Sequence, residues 1–127
     1  MGEMSKTVEI LVVEDEAGHA DVLEEALRRE KYAVTLAADG AQALERFRKG
    51  DPHVVVTDLK LGGEIDGLEV SRQVVASGRT VEVVVITAHG SVDTCKEALR
   101  EGAYDYIEKP IDLDFLRAVV KLSLIHI

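Results

Sequence analysis

The chain has a single cysteine, Cys95, among its 127 residues, so no internal disulfide can form. Nothing in its cysteine usage points to an oxidising compartment. No apolar run approaches the roughly 20 residues that a membrane-spanning helix needs. Residues 1–7 are polar and lack the apolar region of a signal peptide, so the expected address is the cytoplasm. Basic residues are in deficit: 15 Lys and Arg against 24 Asp and Glu leave a formal net charge of −9. With no basic patch to offset phosphate repulsion, this segment is not expected to bind nucleic acid directly. An acidic chain suits a cation or a basic partner surface instead. His19, His53, His89 and His126 are scattered without metal-ligand spacing, which argues against zinc. No G-x-G-x-x-G surrounds Gly62-Gly63, so there is no dinucleotide fingerprint.

Short aliphatic runs alternate with amphipathic stretches along the whole chain. Strands are expected over residues 8–13, 32–37, 54–57, 81–87 and 104–107. Helices are expected over 17–30, 41–49, 68–76 and 91–101, and a last one begins at Asp112 or Asp114. Ser91 is a candidate N-cap, and Gly50 and Gly102 are stop signals. Cys95 falls at helical spacing with Val92 and Leu99, as a small core residue would. The alternation, repeated five times in one domain, specifies an α/β fold: a parallel sheet with helices on both faces. The pattern leaves the strand order open.

In such a sheet, ligands bind beyond the carboxyl ends of the strands. Glu14 and Asp15, Asp58, Thr87 and Lys109 all fall at those ends. Two carboxylates ~4 Å apart repel by about 4 kcal/mol at an effective dielectric of ~20, so three acids at one edge call for a cation. Oxygen ligands on a rigid edge suit Mg²⁺, which keeps waters and leaves room for a phosphoryl group. Asp58 is then a competent nucleophile, Lys109 a counter-charge and Thr87 a hydroxyl donor.

The runs "LVVEDE", "VVVTDLKL", "VITAHGS" and "GAYDYIEKP" together closely resemble the receiver domain of bacterial two-component response regulators, over about residues 7–121. The stretch "TAHGSVDTCKEALREGAYDYIEKPID" is most similar to the NtrC-like branch, whose receivers usually precede an AAA+ ATPase and a DNA-binding helix-turn-helix. The resemblance implies a flavodoxin-like (βα)5 fold with strand order 2-1-3-4-5. It implies that Asp58 accepts a phosphoryl group from a sensor histidine kinase. Asp15 matches a direct Mg²⁺ ligand, Glu14 an acid acting through water, and the backbone carbonyl of Lys60 a third protein ligand. Thr87 and Tyr106 match the switch pair, and Lys109 the phosphate-binding lysine, with a cis bond to Pro110. His89 and Lys60 match positions that tune phosphate lifetime. The segments 91–101, 104–107 and 112–121 match the face that docks on an effector domain or forms a homodimer, so the implied output is phosphorylation-dependent transcription regulation. A receiver is not a turnover enzyme. A phosphatase with an aspartyl nucleophile would carry a second acid two residues on, where this chain has Lys60.

Two places depart from the family pattern. "DLKLGGEIDG" has Leu61-Gly62 where a Met-Pro pair is usual, with one residue added, and its double glycine should loosen the loop. At the C-terminus, 122–127 reads "LSLIHI", with no polar face and no cap. These six residues match one translation of a transposon-end sequencing adapter. They are expected to be a non-native or truncated tail on a single domain, 1–127, with weak or altered dimerisation as the consequence.

Overall fold

A computed structural model describes residues 7–88 and 92–127. His89, Gly90 and Ser91 lie outside the described residues, and with them the expected N-cap and the lifetime-tuning position 89. Strands β1 (Glu9–Val13), β2 (Ala33–Ala37), β3 (Val54–Asp58), β4 (Glu82–Thr87) and β5 (Asp105–Glu108) alternate with helices. The helices are α1 (Ala17–Arg28), α2 (Gly40–Lys49), α3 (Gly67–Ala76), α4 (Val92–Arg100) and α5 (Leu113–His126). All strand pairs are parallel, in the order β2-β1-β3-β4-β5, so the fold is flavodoxin-like.

The sheet is covered on both faces, which is why its strands read as unbroken aliphatic runs. Successive side chains alternate between the faces. Ile10, Val12, Val54, Val56, Val84 and Ile86 pack with Leu23 and Leu27 of α1 and Leu116, Val119 and Val120 of α5. Leu11, Val13, Val55, Val83 and Val85 pack on the other face with Phe47 of α2, Val70 and Val74 of α3 and Ala98 of α4. The chain therefore changes face between β1, followed by α1, and β3, followed by α3. These two strands are neighbours, so a crevice opens at their carboxyl ends, where doubly wound sheets bind ligands.

Element boundaries differ from the sequence reading by one or two residues, with local causes. The helix expected over 17–30 ends at Arg28, and Lys31 takes a positive φ of 69° just beyond it. Glu16 caps α1, accepting from the His19 amide at 3.0 Å. Asp112, not Asp114, caps α5. β5 is shifted one residue, to Asp105–Glu108. Cys95 is buried as expected, whereas Val92 and Leu99 on the same helix are 56% and 36% exposed. Helix α5 continues through the "LSLIHI" segment to His126. Ser123 is buried and Leu124 packs against the core, while Leu122, Ile125 and Ile127 remain exposed. His126 pairs with Glu82 and stacks obliquely on Tyr104, at 5.2 Å between ring centroids.

Candidate functional site

Asp58 is the last residue of β3 and is 4% exposed. Two donors hold its carboxylate. The Lys60 amide donates to Oδ1 at 3.1 Å, and the Lys109 ammonium donates to Oδ2 at 2.6 Å. Lys109 reaches this point because its own amide bonds the Thr87 carbonyl at 2.9 Å, extending the β4–β5 ladder by one rung. The Lys109–Pro110 peptide that follows is cis, as the resemblance implied. Burial by itself would lower the Lys109 pKa. The hydrogen bond and charge of Asp58, with the charges of Glu14 and Asp15, more than reverse this and raise it above the ordinary lysine value.

Glu14 and Asp15 follow β1 and play different parts. Glu14 is 3% exposed; its Oε2 accepts from the Glu16 amide at 3.0 Å, and its Oε1 is buried without a hydrogen-bond partner among the described residues. Burial raises its pKa above the ordinary glutamate value. The Glu16 amide opposes the rise, and the charge of Asp58 adds to it. Asp15 is exposed, and its Oδ2 accepts from the Gly62 amide at 3.1 Å. Thr87 ends β4, 3% exposed, with its hydroxyl donating to the Ala88 carbonyl at 3.2 Å. Beside it, a cleft of about 310 Å³ is lined by Thr87, Val92, Cys95, Leu99 and Tyr106. Tyr106 itself is 41% exposed and stands at the mouth of this cleft rather than filling the core.

The structure thus brings Glu14, Asp15, Asp58, Thr87 and Lys109 to one edge, as the sequence placed them. It modifies the charge argument. Part of the counter-charge for the acids comes from Lys109 itself, through the pair with Asp58. Among the described residues, no three His, Cys, Asp or Glu side chains form a ready-made metal cage. The donors do fit a hard cation held partly through water. They are all oxygens, and the partnerless buried Oε1 of Glu14 is an acceptor that a hydrated cation would satisfy.

The sequence reading missed two residues that shape the site. Gly67, assigned there to the loop, is the first residue of α3, and a Cβ on it would lie 1.8 Å from the Asp58 carbonyl oxygen. Only glycine lets α3 start this close to the acceptor strand. Asp66 caps that helix, accepting from the Glu69 amide at 2.9 Å. The legible signal was Asp-Gly directly before an apolar helical run.

A family model described as the response regulator receiver domain matches residues 10–121. The transcriptional regulatory protein ZraR of Klebsiella oxytoca is 40% identical over 94% of this chain, but the match covers 27% of that protein. The chain therefore spans about a quarter of the length of such relatives. Sporulation initiation phosphotransferase F of Bacillus subtilis is 35% identical over 88% of this chain and 90% of its own length. Among solved structures, the receiver domain of NtrX from Brucella abortus superposes with a TM-score of 0.86 at 35% identity, covering 91% of this chain and 97% of that one.

Proposed function

Because the chain belongs to the response regulator receiver domain family, we propose that it is a phosphorylation-dependent switch in which Asp58 takes a phosphoryl group from a sensor histidine kinase. The observation that carries this reading is the Asp58 carboxylate, buried at a strand end and fixed through both oxygens by Lys60 and Lys109. Receiver domains are signalling domains rather than turnover enzymes. Relatives of this chain include transcriptional regulators of the NtrC-like group, ZraR among them. No described helix is long and apolar enough to cross a membrane. We place the chain's work in the cytoplasm, with transcription as its output.

In the proposed reaction an Asp58 oxygen attacks phosphorus. The new O–P bond forms as the P–N bond to the kinase imidazole breaks, and the imidazole leaves with the electron pair and takes up a proton. Mg²⁺, when bound, would offset charge on the phosphoryl oxygens, held by Asp15, by Asp58, by the Lys60 carbonyl and, through water, by Glu14. Lys109 already touches Asp58, so it needs only to exchange a carboxylate oxygen for a phosphoryl oxygen. Thr87 turns its hydroxyl from the Ala88 carbonyl toward the same group. That motion enlarges the space that the outward Tyr106 ring can enter. The exposed Val92, Leu99 and Tyr106 on α4 and β5, with α5 beside them, form the surface that reports the change to an effector or a second copy.

Incubation with acetyl phosphate and Mg²⁺ should label the wild type but leave Asp58→Asn unlabelled. A wild type that stays unlabelled with Mg²⁺ present rules the switch out. Residues 122–127 lie beyond the matched span, and we propose that they do not belong to the native receiver. Genomic resequencing across codon 121 decides this, since an uninterrupted frame reading "LSLIHI" would show the segment to be native.

A further inference from the structure

The loop from β3 to α3 carries two adjacent glycines, Gly62 and Gly63, and Gly63 takes a positive φ of 91°. The glycine pair gives the middle of this loop wide conformational freedom. Leu59, Leu61 and Ile65 fasten the two ends of the loop to the core, and at the glycine pair itself the backbone N–H of Gly62 donates to Asp15 Oδ2 at 3.1 Å, 47 residues away in sequence. Among the described residues, this is the one hydrogen bond made to the Asp15 carboxylate.

An exposed carboxylate can rotate about both of its side-chain bonds, and a cation ligand must give up that freedom. A donor fixed on Oδ2 restricts the rotation. It leaves Oδ1, and the second lone pair of Oδ2, directed elsewhere. Carboxylates that ligate metals are commonly hydrogen-bonded themselves, and losing such a partner typically weakens metal binding by about 10–100-fold. At position 62 the resemblance leads one to expect proline, which has no N–H to give, whereas this chain keeps the donor.

We infer that the Gly62 backbone N–H is a positioning group for the cation-holding carboxylate of Asp15, so that the glycine-rich loop and the metal site are one mechanical unit. The inference rests on the reading of Asp15 as a Mg²⁺ ligand. It predicts that the loop loses order when Asp15 is removed and that Mg²⁺ binding weakens when the donor is removed.

The geometry supplies a matched pair of variants. The φ of Gly62 lies outside the left-handed region, and a Cβ there would meet Asp15 Oδ2 at 3.8 Å, an ordinary contact. Gly62→Ala therefore keeps the donor, and Gly62→Pro deletes it. Calorimetric titration with Mg²⁺ should show Gly62→Ala binding like the wild type and Gly62→Pro binding about 10-fold more weakly, with unchanged circular dichroism. An independent arm needs neither metal nor a proline. In metal-free wild type, the Gly62 amide should be protected from hydrogen exchange by NMR, and Asp15→Ala should remove that protection. Equal Mg²⁺ affinity in the two Gly62 variants, or an unprotected Gly62 amide in the metal-free wild type, overturns the inference. Failure of the wild type to bind Mg²⁺ at all is a different result: it sinks the reading of Asp15 as a ligand, and the inference falls with it.

Discussion

Burial raises the Glu14 carboxyl above its ordinary value of 4.5, and that has a consequence for stability. The folded state holds the Glu14 proton to higher pH than the unfolded chain does. Its contribution is therefore most favourable below 4.5, is lost as pH rises through the raised folded value, and stays lost at neutral pH. Glu14→Gln keeps an acceptor for the Glu16 amide and removes the charge. In EDTA at pH 7 this variant should unfold at higher urea concentration than the wild type, and the two curves should converge in acid. Added Mg²⁺ should stabilise the wild type more than the variant. Gly67 makes a steric case at the same scale. A methyl group there would lie 1.8 Å from the Asp58 carbonyl oxygen. Gly67→Ala should cost about 1–3 kcal/mol in chemical denaturation, the range for forced overpacking, and should slow phosphoryl labelling because the strand end bearing Asp58 must move.

Two arginines join secondary-structure elements and should differ in weight. Arg79, after α3, stacks 4.1 Å over the Phe47 ring and donates to the Phe47 and Gly50 carbonyls at 2.6 and 2.7 Å. It thereby satisfies carbonyls at the end of α2 that the helix leaves without partners. Arg72 links α3 to α4 through Glu97 and Glu101, both at 2.6 Å, but all three side chains are substantially exposed. Water and salt screen such pairs, whereas Arg79 combines packing with backbone hydrogen bonds. Arg79→Ala should lower stability by about 2 kcal/mol, and Arg72→Met should lower it far less. Urea melts at low and high salt discriminate further, since salt should shrink the Arg72 effect more than that of Arg79, whose carbonyl bonds and ring contact outlast the screening of its 3.3 Å pair with Asp51.

The whole molecule stands on one sheet between two apolar layers. Leu27 of α1 is fully buried in one layer. Leu27→Ala should cost about 2–5 kcal/mol, a large share of the roughly 5–15 kcal/mol typical of a domain, measured by urea unfolding. Both layers continue under the site, so such a core variant should reduce the folded fraction without changing labelling per folded molecule. Association is a property of the outer surface. On the reading of 122–127 as non-native, the α4–β5–α5 face is perturbed at its C-terminal margin, where Leu122, Ile125 and Ile127 are exposed. Sedimentation with a beryllofluoride phosphoryl mimic should show weak dimerisation, and a tight mimic-dependent dimer would contradict that reading.

How much of this was readable without coordinates follows from the range of each interaction. Apolar periodicity is local, so the five strands, the five helices and the assignment of Glu14, Asp15, Asp58, Thr87 and Lys109 to strand ends were legible in the sequence. The family motifs added the strand order, which the alternating pattern by itself left open. Helix ends were less legible, because several acids near each start compete for the cap and only the backbone path selects Glu16 or Asp112. Contacts between distant segments were not legible at all. The reach of Lys109 to Asp58, the Gly62 amide on Asp15 and the space denied at Gly67 depend on where the β1–β3 crevice brings separate loops together. The sequence by itself determined which chemistry stands at the sheet edge, since side-chain identity and strand periodicity are fixed residue by residue. Only the tertiary structure decided which of those groups touch, because ångström-scale distances across 47 or 51 residues are set by packing.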